Sequence, residues 1–391
     1  MTEKLKLKEC CEVITDGDHL PPPKATHGIP FITISNINAN NEISFDDTMY
    51  VPIEYYDGLS ETKKAKSEDV LLSVVGSFGK PVYIEKDEKF TFQRHIALLR
   101  HNNKVDGRFL YYTLLNPQFY KTLDKLAIGC SQRTVTLDTL RNIEIDVPRL
   151  DIQRKIVDCL SAIDEKIKIN NSINNNLIET IDTIYKEFVF SDRAKKSDFK
   201  VQNMFKNDLY SLIKPGVSQF DTKTYYATSE VNGMYISDGW TISYDNRESR
   251  ANMTPTLYSV WFAKMKNSIK HLFLNDEMSN FVDNSILSTG FYGLQCNELT
   301  FEYVASVIHN SNFEKLKDIL SHGATQQGIG DDDLKNIKLL VPSQELLKEY
   351  HNKTAPMFSL ISKNINENNA LIQLRNELLP LLMNGQATVG D

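Results

Sequence analysis

The chain contains a stretch of itself twice, and this constrains its fold more than any other feature. Asn142-Ile143-Glu144-Ile145-Asp146-Val147-Pro148 matches Asn336-Ile337-Lys338-Leu339-Leu340-Val341-Pro342, a shift of 194 residues. The same shift, without gaps, pairs Gly129 with Gly323, Gln132 with Gln326, Asp138 with Asp332 and Leu140 with Leu334. Each copy reads as a Gly-x-[Ser/Thr]-Gln loop, then a Leu-x-Asn-Ile strand ending in Val-Pro. A repeat of this length is a whole folding unit, so the chain is expected to form two similar bodies with matched joints.

The repeat runs on into a helix. After Pro148, apolar residues fall at Ile156, Leu160, Ile163 and Ile167, and resume at Leu177, Ile181, Ile184 and Phe188. Alternating steps of four and three make a heptad seam. Asn170 and Asn174 interrupt it, and the shifted copy (Tyr350, Thr354, Met357, Ile361, then Leu371, Arg375, Leu378, Leu382) is interrupted by Asn364 and Asn368. An asparagine in an apolar seam costs stability and finds a partner only opposite another polar group, so it sets register. Two helices carrying it at equal depth are expected to pack on each other, antiparallel and related by a pseudo-twofold axis. The alternative is two independent amphipathic helices with solvated asparagines.

The expected organisation is a globular unit at 1–149, a long helix at 150–192, a second globular unit at 193–343, a second long helix at 344–385 and a tail at 386–391. Within the first unit, Ile29-Pro30-Phe31-Ile32-Thr33-Ile34, Asp69 to Val75, Pro81-Val82-Tyr83-Ile84 and His95 to Leu99 read as strands. Helical patterns lie near 108–115 and 302–309. The fold class is α+β. A helix over 150–188 is ~57 Å long at ~1.5 Å per residue.

Composition narrows the chemistry. The net charge is −7, which argues against simple nucleic-acid binding unless positive charge is sorted onto one face or supplied by partners. The five cysteines show no CxxC spacing, so neither a disulfide framework nor a zinc site is expected. Mean hydropathy is −0.35, no apolar run is long enough to span a bilayer, and the opening Met1-Thr2-Glu3-Lys4-Leu5-Lys6 is polar, so a cytoplasmic protein is expected. There is no GxxxxGK[ST] phosphate loop. Asn116-Pro117-Gln118-Phe119 is similar to the Asn-Pro-Pro-[Tyr/Phe] motif of adenine methyltransferases but lacks its second proline, and no glycine-rich cofactor motif precedes it. It reads as a helix-ending turn. Asp331-Asp332-Asp333 and Asp16-Gly17-Asp18-His19 read as cap and turn residues rather than metal ligands. No catalytic site and no metal site are expected.

What stands out instead is a set of donor-rich segments. In the first unit these are Ser77 and Lys80 of Gly76-Ser77-Phe78-Gly79-Lys80, then Gln93, Arg94 and His95, then Ser131, Gln132 and Arg133. In the second they are Lys264 and Lys266, Asn284 and Ser285, and Thr325, Gln326 and Gln327. Arginine against guanine and glutamine or asparagine against adenine are the standard major-groove contacts, while lysine, hydroxyls and backbone amides hold phosphates. Gln132 and Gln326, kept by the repeat, suit loop or phosphate contacts better than base reading. Solvated surface is the plainer reading of any one of these residues.

These features resemble the specificity subunit of type I restriction–modification enzymes. The carriers are Gly129-Cys130-Ser131-Gln132, Leu140 through Pro148, Gln153-Arg154-Lys155-Ile156-Val157 and the ending Glu377-Leu378-Leu379-Pro380-Leu381-Leu382-Met383-Asn384-Gly385-Gln386. Ile29-Pro30-Phe31-Ile32 and Asp69-Val70-Leu71-Leu72-Ser73 resemble its first-domain strands. The second half departs from the pattern, with Leu347 at the position matching Gln153, which puts its DNA face in question. The resemblance implies two target-recognition domains, each reading half of a split site on double-stranded DNA. It implies long helices that space them and dock two methyltransferase (modification) subunits, with endonuclease/translocase (restriction) subunits joining that core. S-adenosylmethionine, ATP and Mg2+ would then belong to the partner subunits. Two alternatives compete: a protein-interaction scaffold with duplicated domains, which the acidic balance favours, and a stand-alone methyltransferase or nuclease with a degenerate motif.

Overall fold

The structure, a computed structural model, describes residues 2–38, 41–129, 133–190, 196–237, 239–323 and 327–389. They fall into two compact units, Met1–Asp164 with Gln373–Asp391, and Glu165–Ile372.

In the first unit, Cys11–Asp16, Ile96–His101, Val70–Ser73 and Pro81–Tyr83 form an antiparallel sheet in that spatial order. Met49–Val51, Ile29–Ile32 and Thr91–Phe92 form a second sheet, with Ile29–Ile32 parallel to Thr91–Phe92. Val70, Leu72, Ala97 and Leu99 are buried against the helix Gly107–Leu115. That helix begins where the Asp106 carboxylate accepts the amides of Arg108 and Phe109, and a second helix, Pro117–Leu126, follows at once. Asn116 ends the first helix and caps the second, accepting the Gln118 amide at 3.0 Å. The motif that looked like a methyltransferase signature thus serves as a helix end and cap.

The second unit repeats the plan where the sequences no longer match. Tyr210–Ile213, Phe291–Cys296, Ser259–Ala263 and His271–Leu274 form a sheet in the corresponding order. In the other sheet, Lys223–Tyr226 runs parallel to Ser285–Ser288, as Ile29–Ile32 does to Thr91–Phe92. The helices Phe301–His309 and Ser311–Leu320 lie 194 residues beyond their first-unit counterparts, and Asn310 caps the second of them as Asn116 does.

One layer differs in kind. Beneath the first sheet, Phe78 stacks on Tyr120 at 5.8 Å beside the fully buried Leu123. At the 194-shifted positions stand Glu314 and Lys317. Glu314 meets His271 at 2.9 Å and Lys317 at 2.6 Å, and Lys317 Nζ donates to the Ser268 carbonyl at 2.8 Å. The second unit thus buries a hydrogen-bonded ionic cluster where the first buries apolar rings.

The long helices are Leu150–Phe190 and Gln344–Met383. In the first unit, Ile156 and Leu160 pack with Leu379, Leu382 and Met383, and Arg375 donates to Asp164 at 2.8 Å. In the second unit, Asn170 Nδ2 donates to Asn368 Oδ1 at 2.9 Å and to Glu367 Oε2 at 2.7 Å, while Asn364 Nδ2 donates to Asn174 Oδ1 at 2.8 Å. One number rises as the other falls, so the helices are antiparallel. Exchanging the repeats carries the pair Asn170–Asn368 onto Asn364–Asn174, the pseudo-twofold relation expected of a duplicated seam. All four asparagines are buried.

Beyond Asn174 the seam departs from the heptad expectation. The most buried positions are Ile178, Ile181, Tyr185 and Val189, with Leu177, Ile184 and Phe188 only partly covered. A straight helix drifts ~20° per heptad against a 3.5-residue repeat, and here the apolar face widens to cover the domain core as well as the partner helix. Phe188 still reaches Tyr350, ring to ring at 4.9 Å.

Gln153 holds the joint between sheet and helix. It is fully buried, accepts the Asp106 amide at 2.9 Å and donates to the carbonyls of Lys104 and Pro148 at 3.0 and 2.7 Å. Its counterpart Leu347 is buried among apolar neighbours. The departure at Leu347 therefore changes a joint inside the unit and does not touch the surface loops, contrary to the sequence expectation. Among the described residues, no helix is long and apolar enough to cross a membrane.

Candidate nucleic-acid interface

In the first unit, three loops converge at one end of the sheet. Val74 donates to His95 O at 2.9 Å, Val135 donates to Val74 O at 2.8 Å and Gly76 donates to Arg133 O at 2.9 Å. Reciprocal bonds between Ile128 and Thr134, at 2.9 and 2.8 Å, close the hairpin that flanks positions 130–132. The candidates Ser77, Lys80, Gln93, Arg94, His95 and Arg133 are thereby brought together. Ser131 and Gln132 lie outside the described residues.

The glycines shape this end. Gly79 has φ +84°, and a Cβ there would stand 2.6 Å from the Tyr120 ring. A Cβ on Gly17 would stand 1.9 Å from the Phe92 carbonyl oxygen, so this position allows the 16–19 segment to lie against the turn at 93–95. Asp18 is spent on that contact, accepting from Thr91 at 3.2 Å and pairing with Lys63 at 3.5 Å.

Residues 76–80 form a turn, and three of its amides are already paired within the unit. Gly76 donates to Arg133, Gly79 to the Ser73 carbonyl at 2.8 Å and Lys80 to the Ser73 hydroxyl at 2.9 Å. The side chains remain available. Ser77 is exposed, and Lys80 meets no carboxylate among the described residues. Arg133 is held by Asp124 and lies over Phe78, 5.5 Å from the ring centre. Arg94 is exposed and donates through Nε to His95 Nε2 at 3.4 Å. Burial, and then the charge of Arg94, hold the His95 imidazole below its ordinary range, so it is neutral near pH 7. A cleft of about 380 Å³ opens here, lined by Asp16, His19, Val74, Arg94, His95 and Thr136 among others.

The second unit repeats the convergence. Lys264 donates to Gly290 O at 2.9 Å, Ile329 to Lys264 O at 3.0 Å and Lys266 to Gln327 O at 3.0 Å. His322 and Gly328, the 194-shifted partners of Ile128 and Thr134, exchange the same two bonds at 3.2 and 3.1 Å. Lys264, Lys266 and Gln327 therefore share one site, while Thr325 and Gln326 lie outside the described residues. Lys264 Nζ sits 4.3 Å above the Tyr292 ring, whose hydroxyl donates to Asp331 at 2.5 Å. Burial pushes the Lys264 ammonium below its usual range, partly offset by Asp331.

Two second-unit candidates fall away. Ser285 is only 2% exposed, at the start of a strand whose last residue, Ser288, reaches the loops about 10 Å further on at ~3.3 Å per residue. Asn284 caps its own helix, donating to the Asn280 carbonyl and side-chain oxygens at 2.9 Å. Strand register gives the positions that correspond to the first-unit turn. Ser73 pairs with Ile96 and Ala263 with Phe291, so Gln93, Arg94 and His95 correspond to Ser288, Thr289 and Gly290; Ser288 is itself only 2% exposed, which leaves Thr289 as the partly exposed side chain of the three. Composition alone cannot find these residues, because the offset here is 195 rather than 194. Arg250, on the neighbouring strand end, was also missed; it accepts the Thr289 amide at 2.9 Å and its guanidinium lies 3.6 Å from where a Gly290 Cβ would be. Among the described residues, no three His, Cys, Asp or Glu side chains group closely enough to hold a metal ion.

Residues 2–179 match the family described as the type I restriction modification DNA specificity domain. The specificity subunit of the MjaVIII type I restriction enzyme of Methanocaldococcus jannaschii is 27% identical over 173 residues, which is 43% of this chain and 40% of that protein. The HindI specificity subunit of Haemophilus influenzae is 20% identical over an alignment covering 83% of this chain and 88% of that protein. In fold, the chain is similar to the crystal structure of a type I restriction-modification S subunit from M. genitalium, with TM-score 0.56, 14% identity and coverage of 98% and 96% of the two chains. Residues 2–179, somewhat under half of the chain, are thus similar to a type I DNA specificity domain, and the chain as a whole shares the fold of a solved type I S subunit.

Proposed function

We propose that the chain reads a two-part DNA sequence, with residues 1–149 and 193–343 each reading one part. The observation that carries this is the repetition of one loop convergence in both halves, built on matched backbone bonds but bearing different side chains. Matched backbone gives both halves one way to approach a duplex, and different side chains let them read different bases. The long helices Leu150–Phe190 and Gln344–Met383 set the distance between the two parts and dock two methyltransferase subunits, to which restriction subunits attach. Lys80 and Lys266 hold phosphates, and positive charge from the partners offsets the net −7 of this chain. The chain itself performs no chemistry. S-adenosylmethionine, ATP and Mg2+ act in the partner subunits.

The test is enrichment from a random duplex library at moderate salt, using the chain co-expressed with its methyltransferase subunits. A two-part sequence with a fixed unspecified spacer is expected. Exchanging residues 1–149 for those of another specificity subunit should change one part only. A complex that assembles and enriches nothing would overturn the proposal in favour of a protein scaffold.

A further inference from the structure

Several arginines of the first unit already have their guanidinium groups engaged. Arg100 clamps Asp69 at 2.8 and 2.9 Å and donates to the Lys64 carbonyl. Arg108 pairs with Glu85 at 3.4 Å and lies over Tyr83. Arg133 is held by Asp124, and Arg141 donates to the Ile14 carbonyl at 2.7 Å. Arg94 differs. Its two terminal amino groups meet no acceptor among the described residues, yet the side chain is anchored through Nε on His95.

The backbone beneath it is also pinned. Arg94 donates to Asp18 O at 3.1 Å, Gln93 to Ile32 O at 3.0 Å and Ile96 to Gln93 O at 3.0 Å. A fork held at its base and open at its tip, at the mouth of a cleft, suits recognition better than charge neutralisation. Phosphate binding needs only a point charge, which Lys80 supplies nearby. Two parallel N–H donors in a fixed plane match the O6 and N7 acceptors of guanine. Neutral His95 contributes by accepting the Nε proton, which restricts rotation of the guanidinium plane.

We propose that Arg94 reads a guanine in the part of the target assigned to the first unit; this rests on the reading of the chain as a DNA specificity subunit. The second unit has Thr289 at the equivalent position, so its part of the target is read by other means, and a change at Arg94 acts on one part alone.

The experiment compares the full chain with Arg94→Gln and Arg94→Lys, each assembled with the methyltransferase subunits, in the same duplex enrichment. Both variants are expected to lose preference for guanine at one position of the first part, by roughly 10- to 100-fold, the worth of one bidentate contact. The second part should be enriched unchanged, which also reports that the variant is folded and assembled. Arg94→Lys separates fork from charge: it keeps affinity for backbone phosphates but not the discrimination. A two-part motif unaltered in both variants overturns the proposal, as does a uniform loss of affinity with every position still discriminated. If the unsubstituted complex enriches no two-part motif, the functional reading fails first, and the assignment of Arg94 fails with it.

Discussion

Replacing Asn174 and Asn364 by leucine, singly and together, should reveal non-additive energetics. In the folded chain Asn364 Nδ2 donates to Asn174 Oδ1 at 2.8 Å, and both residues are buried, at 6% and 0% exposure. Asn174 Nδ2 itself has no partner among the described residues. Asn174→Leu removes the acceptor and strands the Asn364 amide in an apolar seam, at a cost of ~1–3 kcal/mol. Asn364→Leu leaves both polar atoms of Asn174 unpaired and costs at least as much. The double variant removes both amides, including the one already unpaired, and leucine keeps asparagine's branching at Cγ and its number of side-chain heavy atoms, although it is bulkier. It should lie within ~1 kcal/mol of the parent or be more stable. The two single effects then exceed the double by about 2 kcal/mol or more. Amide hydrogen exchange across both helices measures this as local opening, without requiring the whole chain to unfold in one step. Strictly additive variants would refute the reasoning, because the asparagine bond would then contribute nothing beyond its two separate side chains.

Gln153→Leu copies what the second repeat has at Leu347, yet should destabilise the chain by ~1–3 kcal/mol in thermal melting, because it orphans the Asp106 amide and the Lys104 and Pro148 carbonyls. Burial, with His271 adding to it, holds His309 down to about 4, so the unfolded chain takes up the proton first. Its contribution is whole above pH ~6.5 and is lost as the pH falls towards 4, on the order of 3 kcal/mol, and His309→Phe should flatten the stability profile in that window. Lys80→Ala should weaken DNA binding by the assembled complex evenly across sequences and reduce the log–log salt slope by about 1, read by titration at several salt concentrations. Matched seven-residue deletions from both long helices remove ~10 Å and should shorten the unspecified spacer by about three base pairs in the enriched motif, leaving the two parts unaltered.

The joints of this fold were legible in the sequence and its sheets were not, for a physical reason. From Gly107 to Leu126 and from Leu137 onward, helix caps, strand ends and seam asparagines each demand a particular residue type, so the 194-residue shift survives unbroken. Asn116 and Asn310 are alike because both must accept an N-cap amide. In the sheets, any apolar side chain of suitable volume fills the core, and changes of length between strands move the offset between repeats, from 263 − 73 = 190 at Ser73 and Ala263 to 291 − 96 = 195 at Ile96 and Phe291. The site was legible to the same degree. Lys80, Arg94 and His95 stand on loops set by the first sheet, and Lys264 with Gln327 on their second-unit equivalents. Ser285 and Asn284 were chosen for their chemistry, but which strand residue reaches the loops is decided by pairing register, which composition does not carry.

The two chemically unlike layers beneath the sheets limit how the two halves of this chain can exchange parts. The Phe78–Tyr120–Leu123 layer and the His271–Glu314–Lys317 cluster occupy corresponding places, and each works only as a set. A crossover inside a unit, joining a sheet from one half to a helix from the other, would bury a carboxylate and an ammonium against aromatic rings, and the hybrid would fail to fold. A crossover within the long helices separates no such partners. Viable recombinants of the two halves should therefore inherit whole units, not a sheet from one joined to a helix from the other.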